Sequence, residues 1–94
     1  MFVLIVGSKV KPGSEKALEK TYTETFRPAI SVQEGFVGVD LLRPNHSGDE
    51  YRLKIAFETH PLQQKWVATD LHQQVWPQME AHFADYSVTD YTAV

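Results

Sequence analysis

The sequence predicts an α+β protein with the ferredoxin-like order βαββαβ, in which a four-stranded antiparallel sheet carries its helices on one face. Three observations support this prediction. Two apolar runs flank the turn-forming residues 45–49, as in a β-hairpin. Amphipathic helical segments precede and follow this hairpin, and strand-like runs stand at both ends of the sequence.

The length of 94 residues predicts that the whole chain, residues 1–94, forms one small domain. The sequence is 43% hydrophobic with a net charge of −3, and its 9 Lys and Arg residues are scattered, so we expect no nucleic-acid partner. Cysteine is absent, which excludes disulfides and thiolate metal sites and is typical of a cytoplasmic protein. We expect no bound metal, because no two histidines have the spacing that places ligands on one helix face.

The first element is an apolar run at residues 2–10. Alternate positions share a face, so Phe2, Leu4 and Val6 point one way while Val3 and Ile5 point the other. The run lacks a basic leader and is too short to cross a bilayer, so we predict a strand covered on both faces and no membrane contact.

A helix is predicted after Ser14, which is a suitable N-cap residue. Pro28 is expected to kink or end the regular turns. The helix carries one apolar stripe that recurs every four residues and should face the sheet: Leu18, Tyr22, Phe26 and Ile30.

The central hairpin supplies the next two strands. In the first, strict alternation places Val37, Val39 and Leu41 on one face and the other residues, including Phe36, on the opposite face. In the second, we expect the more apolar face to lie under the helices: Tyr51, Leu53, Ile55 and Phe57.

Residues 58–83 are predicted to form two helical pieces, because the apolar stripe that begins with Leu62 and Trp66 changes phase near residues 69–70. Asp70 and Gln73 have the spacing of a capping box for the second piece, and Pro77 should kink or restart it. The final run, rich in Tyr, Val and Thr, is predicted as an edge strand.

Two helical segments cover only one face of such a sheet, yet the first two strands carry apolar residues on both faces. A second copy stacked sheet against sheet would cover the remaining face. We therefore predict a homodimer, since closed twofold pairs are the commonest assemblies.

Four features of the sequence occur together: the βαββαβ order, the pair Gly35-Phe36, the sequence AFET at 56–59, and Trp66 followed six residues later by His72. In these features the chain resembles the antibiotic biosynthesis monooxygenase family of dimeric α+β barrels. The resemblance implies one small-molecule cleft per subunit between helices and sheet. In some members this cleft oxidises polycyclic phenols to quinones with dioxygen and no metal, flavin or haem cofactor.

Such chemistry needs a base or hydrogen-bonding group and an apolar aromatic cavity. His72 and Trp66 are the candidate catalytic residues. The candidate cavity walls are Tyr22, Phe26, Trp76 and Met79. Core packing is the ordinary structural role of Trp66, Tyr22, Phe26 and Met79, and a solvent-facing position is the ordinary one for His72.

The haem-degrading branch of the same family uses an Asn in the first strand and a His ten residues after the Trp. Val6 and Trp76 occupy those positions here, so haem degradation is disfavoured. Two functions remain open: a cofactor-independent monooxygenase of a small phenolic or quinol-like aromatic compound, and a non-catalytic dimer that binds a small aromatic ligand or another protein.

Overall fold

The protein is described here by a computed structural model that covers residues 1–94. Four strands form one antiparallel sheet in the order β2-β3-β1-β4. This arrangement confirms the predicted ferredoxin-like fold. In chain order the elements are β1 (Phe2–Val10), α1 (Glu15–Thr21), a π-helical turn (Tyr22–Phe26), α2 (Arg27–Ser31), β2 (Phe36–Leu42), β3 (Tyr51–Phe57), α3 (His60–Val67), α4 (Asp70–Glu80) and β4 (Phe83–Thr92).

The main core lies between the helices and one face of the sheet. Alternate residues of β3 are buried in this core, as the sequence predicted, whereas Arg52 and Lys54 point to the opposite, exposed face. Val6 of β1 stands opposite Leu53 and joins the same core. The buried β3 residues on the helix side are Tyr51, Leu53, Ile55 and Phe57.

The predicted faces of β2 are wrong at its beginning. Phe36 pairs with Phe57, but Gly38 pairs with Ala56, so Val37 is an extra residue in the ladder. Such a bulge reverses the alternation beyond it. Phe36 therefore packs on the helix side, with its ring 6.0 Å from that of Phe57, and Val37 is 49% exposed.

The first helical segment changes its winding before Pro28, where the sequence predicted a kink. Pro28 lacks the backbone N–H that an α-helix would use to bond the carbonyl four residues earlier. Helix α2 follows the π-helical turn directly, with Pro28 as its second residue. Wider π turns commonly occur where a helix must turn a side chain toward a functional site. Here the turn ends at Phe26.

The predicted break between the two later helices is confirmed, but its capping residue differs. The hydroxyl of Thr69 accepts the backbone N–H of His72 at 3.1 Å, so Thr69 and not Asp70 is the N-cap of α4. Gln73 takes no part in a capping box and instead donates its side-chain amide to the carbonyl of Val67 at 2.9 Å. Pro77 lies inside α4 without ending it.

The opposite face of the sheet carries no helix. Strand β4 is an edge strand, and all of its residues after Phe83 are exposed. None of the helices combines the length and the apolar character that crossing a membrane requires.

Candidate functional site

An apolar cavity of about 170 Å³ lies between the sheet, the π-helical turn and the junction of α3 with α4. Of its 11 lining residues 9 are hydrophobic, which favours an apolar ligand held by few polar contacts. The lining residues are Leu4, Val6, Phe26, Ile55, Gln63, Trp66, Val67, His72, Trp76, Tyr86 and Val88.

Two larger grooves, of about 450 and 520 Å³, surround the hairpin loop. Their walls are mostly polar and charged, and they include Lys9, Arg43 and Asp49. Neither groove brings together the aromatic surface that would desolvate a ligand. We therefore assign the smaller, apolar cavity as the candidate site.

Aromatic edges form the inner wall of the cavity. The Phe26 ring contacts Trp66 and Trp76 edge-on, with ring centroids 6.3 and 6.1 Å away. Trp66 is only 2% exposed, so it belongs to the core and lines the cavity at once. Four of the residues predicted from the sequence thus meet at this site: Phe26, Trp66, His72 and Trp76.

His72 lies between the two tryptophans. Its ring meets Trp66 edge-on at 5.0 Å and stacks on Trp76 at 6.3 Å, with only 14° between the planes. The Thr69 cap fixes the first turn of α4 and with it the backbone of His72. Burial against these rings lowers the pKa of His72 from its usual value, so the imidazole is neutral at neutral pH.

Gln73 determines which nitrogen of the neutral imidazole holds the proton. Its amide nitrogen donates to Val67 and also lies 3.4 Å from Nδ1 of His72. An N–H group facing Nδ1 favours the tautomer in which Nδ1 accepts and Nε2 carries the proton. His72 then offers a ligand a hydrogen-bond donor.

Gln63 is a polar wall residue that the sequence analysis missed. It is 8% exposed and lines the cavity from α3. No side-chain hydrogen bond within the chain engages its amide, which leaves both its donor and its acceptor for a ligand. Its position three residues before Trp66, on the same helix face, was the available signal.

Tyr86 is the second missed residue. It stands opposite Ser8 on β1, so its side chain lies on the helix side of the sheet at the mouth of the cavity. Its hydroxyl donates to Oε2 of Glu80 at 2.5 Å. This hydrogen bond, together with burial, raises the pKa of Tyr86, while the nearby indole N–H of Trp76 acts in the opposite direction.

Two residues predicted as cavity walls lie elsewhere. The Tyr22 hydroxyl donates to the carbonyl of Val39 at 3.2 Å, and the ring borders a separate groove beside Glu19. Met79 is fully buried in the core. Tyr22 shares the apolar stripe of Phe26, and Met79 shares that of Val75 on α4, but neither side chain lines the cavity.

Comparison with known proteins agrees with this architecture. A profile of the family described as "Antibiotic biosynthesis monooxygenase" matches residues 1–78, most of the chain. The chain belongs to this family. No curated protein matches the sequence.

Solved structures share the family fold over almost their whole length. An antibiotic biosynthesis monooxygenase homologue from Nitrosomonas europaea superposes with a TM-score of 0.84 at 18% identity, covering 100% of this chain and 99% of that one. SnoaB, a cofactor-independent oxygenase from Streptomyces nogalater, superposes with a TM-score of 0.83 at 19% identity, covering 99% of this chain and 93% of that one. A variant of MhuD, solved with two manganese protoporphyrin IX molecules per active site, superposes with a TM-score of 0.81 at 24% identity, covering 100% of this chain and 95% of that one. At these identities the likeness is one of fold.

Proposed function

We propose that this member of the monooxygenase family is a cofactor-independent oxygenase of a small phenolic or quinol-like aromatic compound. The observation that carries the proposal is the aromatic cavity, whose lining includes two polar residues, Gln63 and His72, and the hydroxyl-bearing ring of Tyr86. A flat aromatic ligand can pack against the tryptophans while its oxygen atoms meet these three side chains. The description of SnoaB as a cofactor-independent oxygenase supports the same chemistry.

The proposed reaction uses dioxygen as the oxidant. Loss of the phenolic proton makes the ring electron-rich, and one electron passes to dioxygen to give a substrate radical and superoxide. The pair combines through a new C–O bond, and the O–O bond then breaks. One oxygen atom stays in the quinone, and the other leaves as hydroxide that carries the hydrogen of the attacked C–H. One proton from solvent, replacing the one lost by the phenol, converts this hydroxide to water.

The chain's residues stabilise the anionic stage of this reaction. The Nε2–H of His72 and the amide of Gln63 donate to the phenolate oxygen, which lowers the energy of the anion relative to the phenol. The walls of Phe26, Trp66 and Trp76 exclude bulk water from the radical pair.

The cavity fits one or two aromatic rings better than a porphyrin. A volume of about 170 Å³ is close to that of apolar cavities of about 150 Å³ that bind benzene. Val6 and Trp76 line it and carry no ligand atom for iron. In the tautomer that Gln73 favours, Nδ1 of His72 is engaged and Nε2 carries the proton, so His72 would offer no free nitrogen to haem iron and no step through haem is proposed.

Oxygen uptake with aromatic diols and with phenols of one or two rings tests the proposal. We expect turnover by the unaltered protein and a loss of about 10²-fold in His72→Ala, which removes a hydrogen-bond donor to the phenolate oxygen. Trp66→Phe should also lower turnover, because it opens the cavity wall to water. Tyr22→Phe, which changes an aromatic residue outside the cavity, should retain activity. Saturable quenching of tryptophan fluorescence by the same compounds, without oxygen uptake, would instead establish the alternative, a non-catalytic binding protein.

We also propose that two copies pair through the uncovered sheet face. Ile5 stands on that face between Lys54 and Thr89. Burial of its apolar side chain against the second copy would stabilise the dimer. Light scattering should give a dimer mass at micromolar concentration, and Ile5→Asp should shift it to the monomer mass. The control Val32→Asp changes a residue that is 78% exposed and lies off the sheet. A monomer mass for the unaltered protein would contradict the pairing.

A further inference from the structure

The walls of the cavity contain no carboxylate. Of its lining side chains only His72 and Tyr86 titrate. Nδ1 of His72 faces an N–H of Gln73, so the neutral imidazole is arranged as a donor and not as a proton acceptor. A phenolic substrate must nevertheless lose a proton before it can reduce dioxygen. The remaining titratable wall residue is Tyr86.

Tyr86 connects the cavity to a carboxylate outside it. Its ring lies 6.0 Å from that of Trp76 inside the site, and its hydroxyl donates to Glu80 at 2.5 Å. A tyrosine oxygen can donate one hydrogen bond and accept another at the same time. Glu80, at the end of α4, is only half-buried and forms no ion pair, so its carboxylate is free to receive a proton and release it to water.

We propose that Tyr86 and Glu80 form the proton exit of the site. The substrate O–H transfers its proton to the Tyr86 oxygen while the proton of Tyr86 moves to Oε2 of Glu80. The phenolate is left in the cavity, Tyr86 remains a neutral phenol, and protonated Glu80 then loses its proton to solvent. Tyr86 touches the substrate and is the catalytic member, whereas Glu80 acts through it. This inference rests on the proposed function.

Other charges near Tyr86 lie outside this path. Lys9, Glu50 and Asp85 border a second groove, which shares Tyr86 but no other lining residue with the cavity. Asp85 is adjacent to Tyr86 in sequence but, because side chains alternate along a strand, it lies on the opposite face. Asp85→Asn is therefore a matched control for Glu80→Gln: each removes one carboxylate charge near the same tyrosine.

The first test follows proton transfer without turnover. A nitrophenol, whose phenolate absorbs visible light, is bound to the protein and its ionisation is timed after a jump to higher pH. We expect ionisation to slow at least about tenfold in Tyr86→Phe and in Glu80→Gln, and to keep its rate in Asp85→Asn, because only the first two interrupt the relay. Unchanged rates in both relay variants would overturn the proposal.

The second test uses oxygen uptake. Tyr86→Phe and Glu80→Gln should lower kcat by about 10²-fold with little change in KM, since the substrate still fills the same cavity. Added formate or acetate should restore part of the activity of Glu80→Ala, which a merely structural role for Glu80 does not predict. Full kcat in both variants, in a protein that does turn over, would remove the relay and leave the proposed function intact. Absence of nitrophenol binding and of turnover in the unaltered protein would remove both.

Discussion

The side-chain amide nitrogen of Gln73 lies 3.4 Å from Nδ1 of His72 and 2.9 Å from the carbonyl oxygen of Val67. The carbonyl can only accept, so the nitrogen and not the oxygen of the amide must occupy this position. An N–H group therefore faces the imidazole. His72, which the sequence suggested as a possible base, is therefore arranged as a hydrogen-bond donor through Nε2.

The His72 tautomer can be read directly by NMR. At neutral pH the ring nitrogen shifts should show an unprotonated Nδ1 and a protonated Nε2. Gln73→Ala removes the N–H that favours this form, so we expect a mixture of tautomers in that variant. Gln78→Ala, which removes an exposed amide on the same helix, should leave the His72 signals unchanged. A proton on Nδ1 in the unaltered protein would contradict the assignment.

Burial of His72 also makes stability depend on pH. Its pKa is lowered in the folded protein, so the unfolded chain binds this proton more readily. The folded state loses no stability through this group above about pH 6.5, and it loses progressively more as the pH falls from there toward the lowered pKa.

In urea unfolding, His72→Gln should therefore lose less stability than the unaltered protein between about pH 7.5 and pH 5.5. The control His46→Gln replaces an exposed histidine of the hairpin turn and should follow the unaltered protein. Equal pH slopes for the unaltered protein and His72→Gln would show that burial does not disfavour the charged imidazole.

Glu19 joins α1 to the hairpin through three hydrogen bonds. Arg43 donates to both of its carboxylate oxygens, and the Tyr51 hydroxyl donates to Oε2 at 2.6 Å. The hydrogen bonds from Arg43, followed by the one from Tyr51, lower the pKa of Glu19 to about 2. Because the folded pKa is depressed, the stabilisation is present above about pH 4.3 and is lost as the pH falls toward 2.

Glu19→Gln should accordingly lower the free energy of unfolding by about 1 kcal/mol near neutral pH, a modest value because the Arg43 side chain is 70% exposed. The difference should shrink as the pH falls below about 4. Glu24→Gln, on the exposed side of the π-helical turn, provides the comparison. A difference that persists undiminished in acid would assign the effect to packing and not to charge.

The sequence was informative where polar and apolar residues alternate without interruption. Strand β3 satisfies this condition, and its buried face was predicted correctly. Strand β2 contains a bulge at Val37, and no residue pattern distinguishes a bulged strand from a regular one when both faces are apolar. The phase change near Thr69 revealed the helix break, but the capping residue depends on local dihedrals that spacing alone does not determine.

The same reasoning explains the partial prediction of the site. His72 and Trp76 stand four residues apart on α4, so their meeting could be predicted locally. Trp66 lies on α3, and its contact with His72 depends on the turn between the two helices. Tyr86 reaches the cavity only through the pairing of β4 with β1, a long-range register that its weak alternation does not specify. Tyr22 and Met79 show the opposite error, since an apolar stripe does not indicate which of its members stands over a cavity.

Gly35 allows the helix that carries Trp66 to approach the hairpin. Its φ of +78° is one that residues with a Cβ rarely adopt, and a Cβ there would stand 2.5 Å from Cδ1 and 2.9 Å from Cβ of Leu62. Gly48 in the hairpin turn has a similar φ of +91° but open space around it. The two positions therefore share the backbone strain and differ in crowding.

Gly48→Ala should destabilise the protein by about 1 kcal/mol through strain alone, and Gly35→Ala by about 2 to 4 kcal/mol because α3 must also shift. That shift moves Gln63 and Trp66, which both lie on α3, so we expect Gly35→Ala to weaken the quenching of tryptophan fluorescence by phenols while Gly48→Ala does not. Urea unfolding and ligand titration of the two variants side by side measure both effects. The two substitutions introduce similar backbone strain, and only Gly35→Ala also crowds Leu62. Equal losses of stability would therefore mean that the close contact between Leu62 and Gly35 does not fix the position of α3.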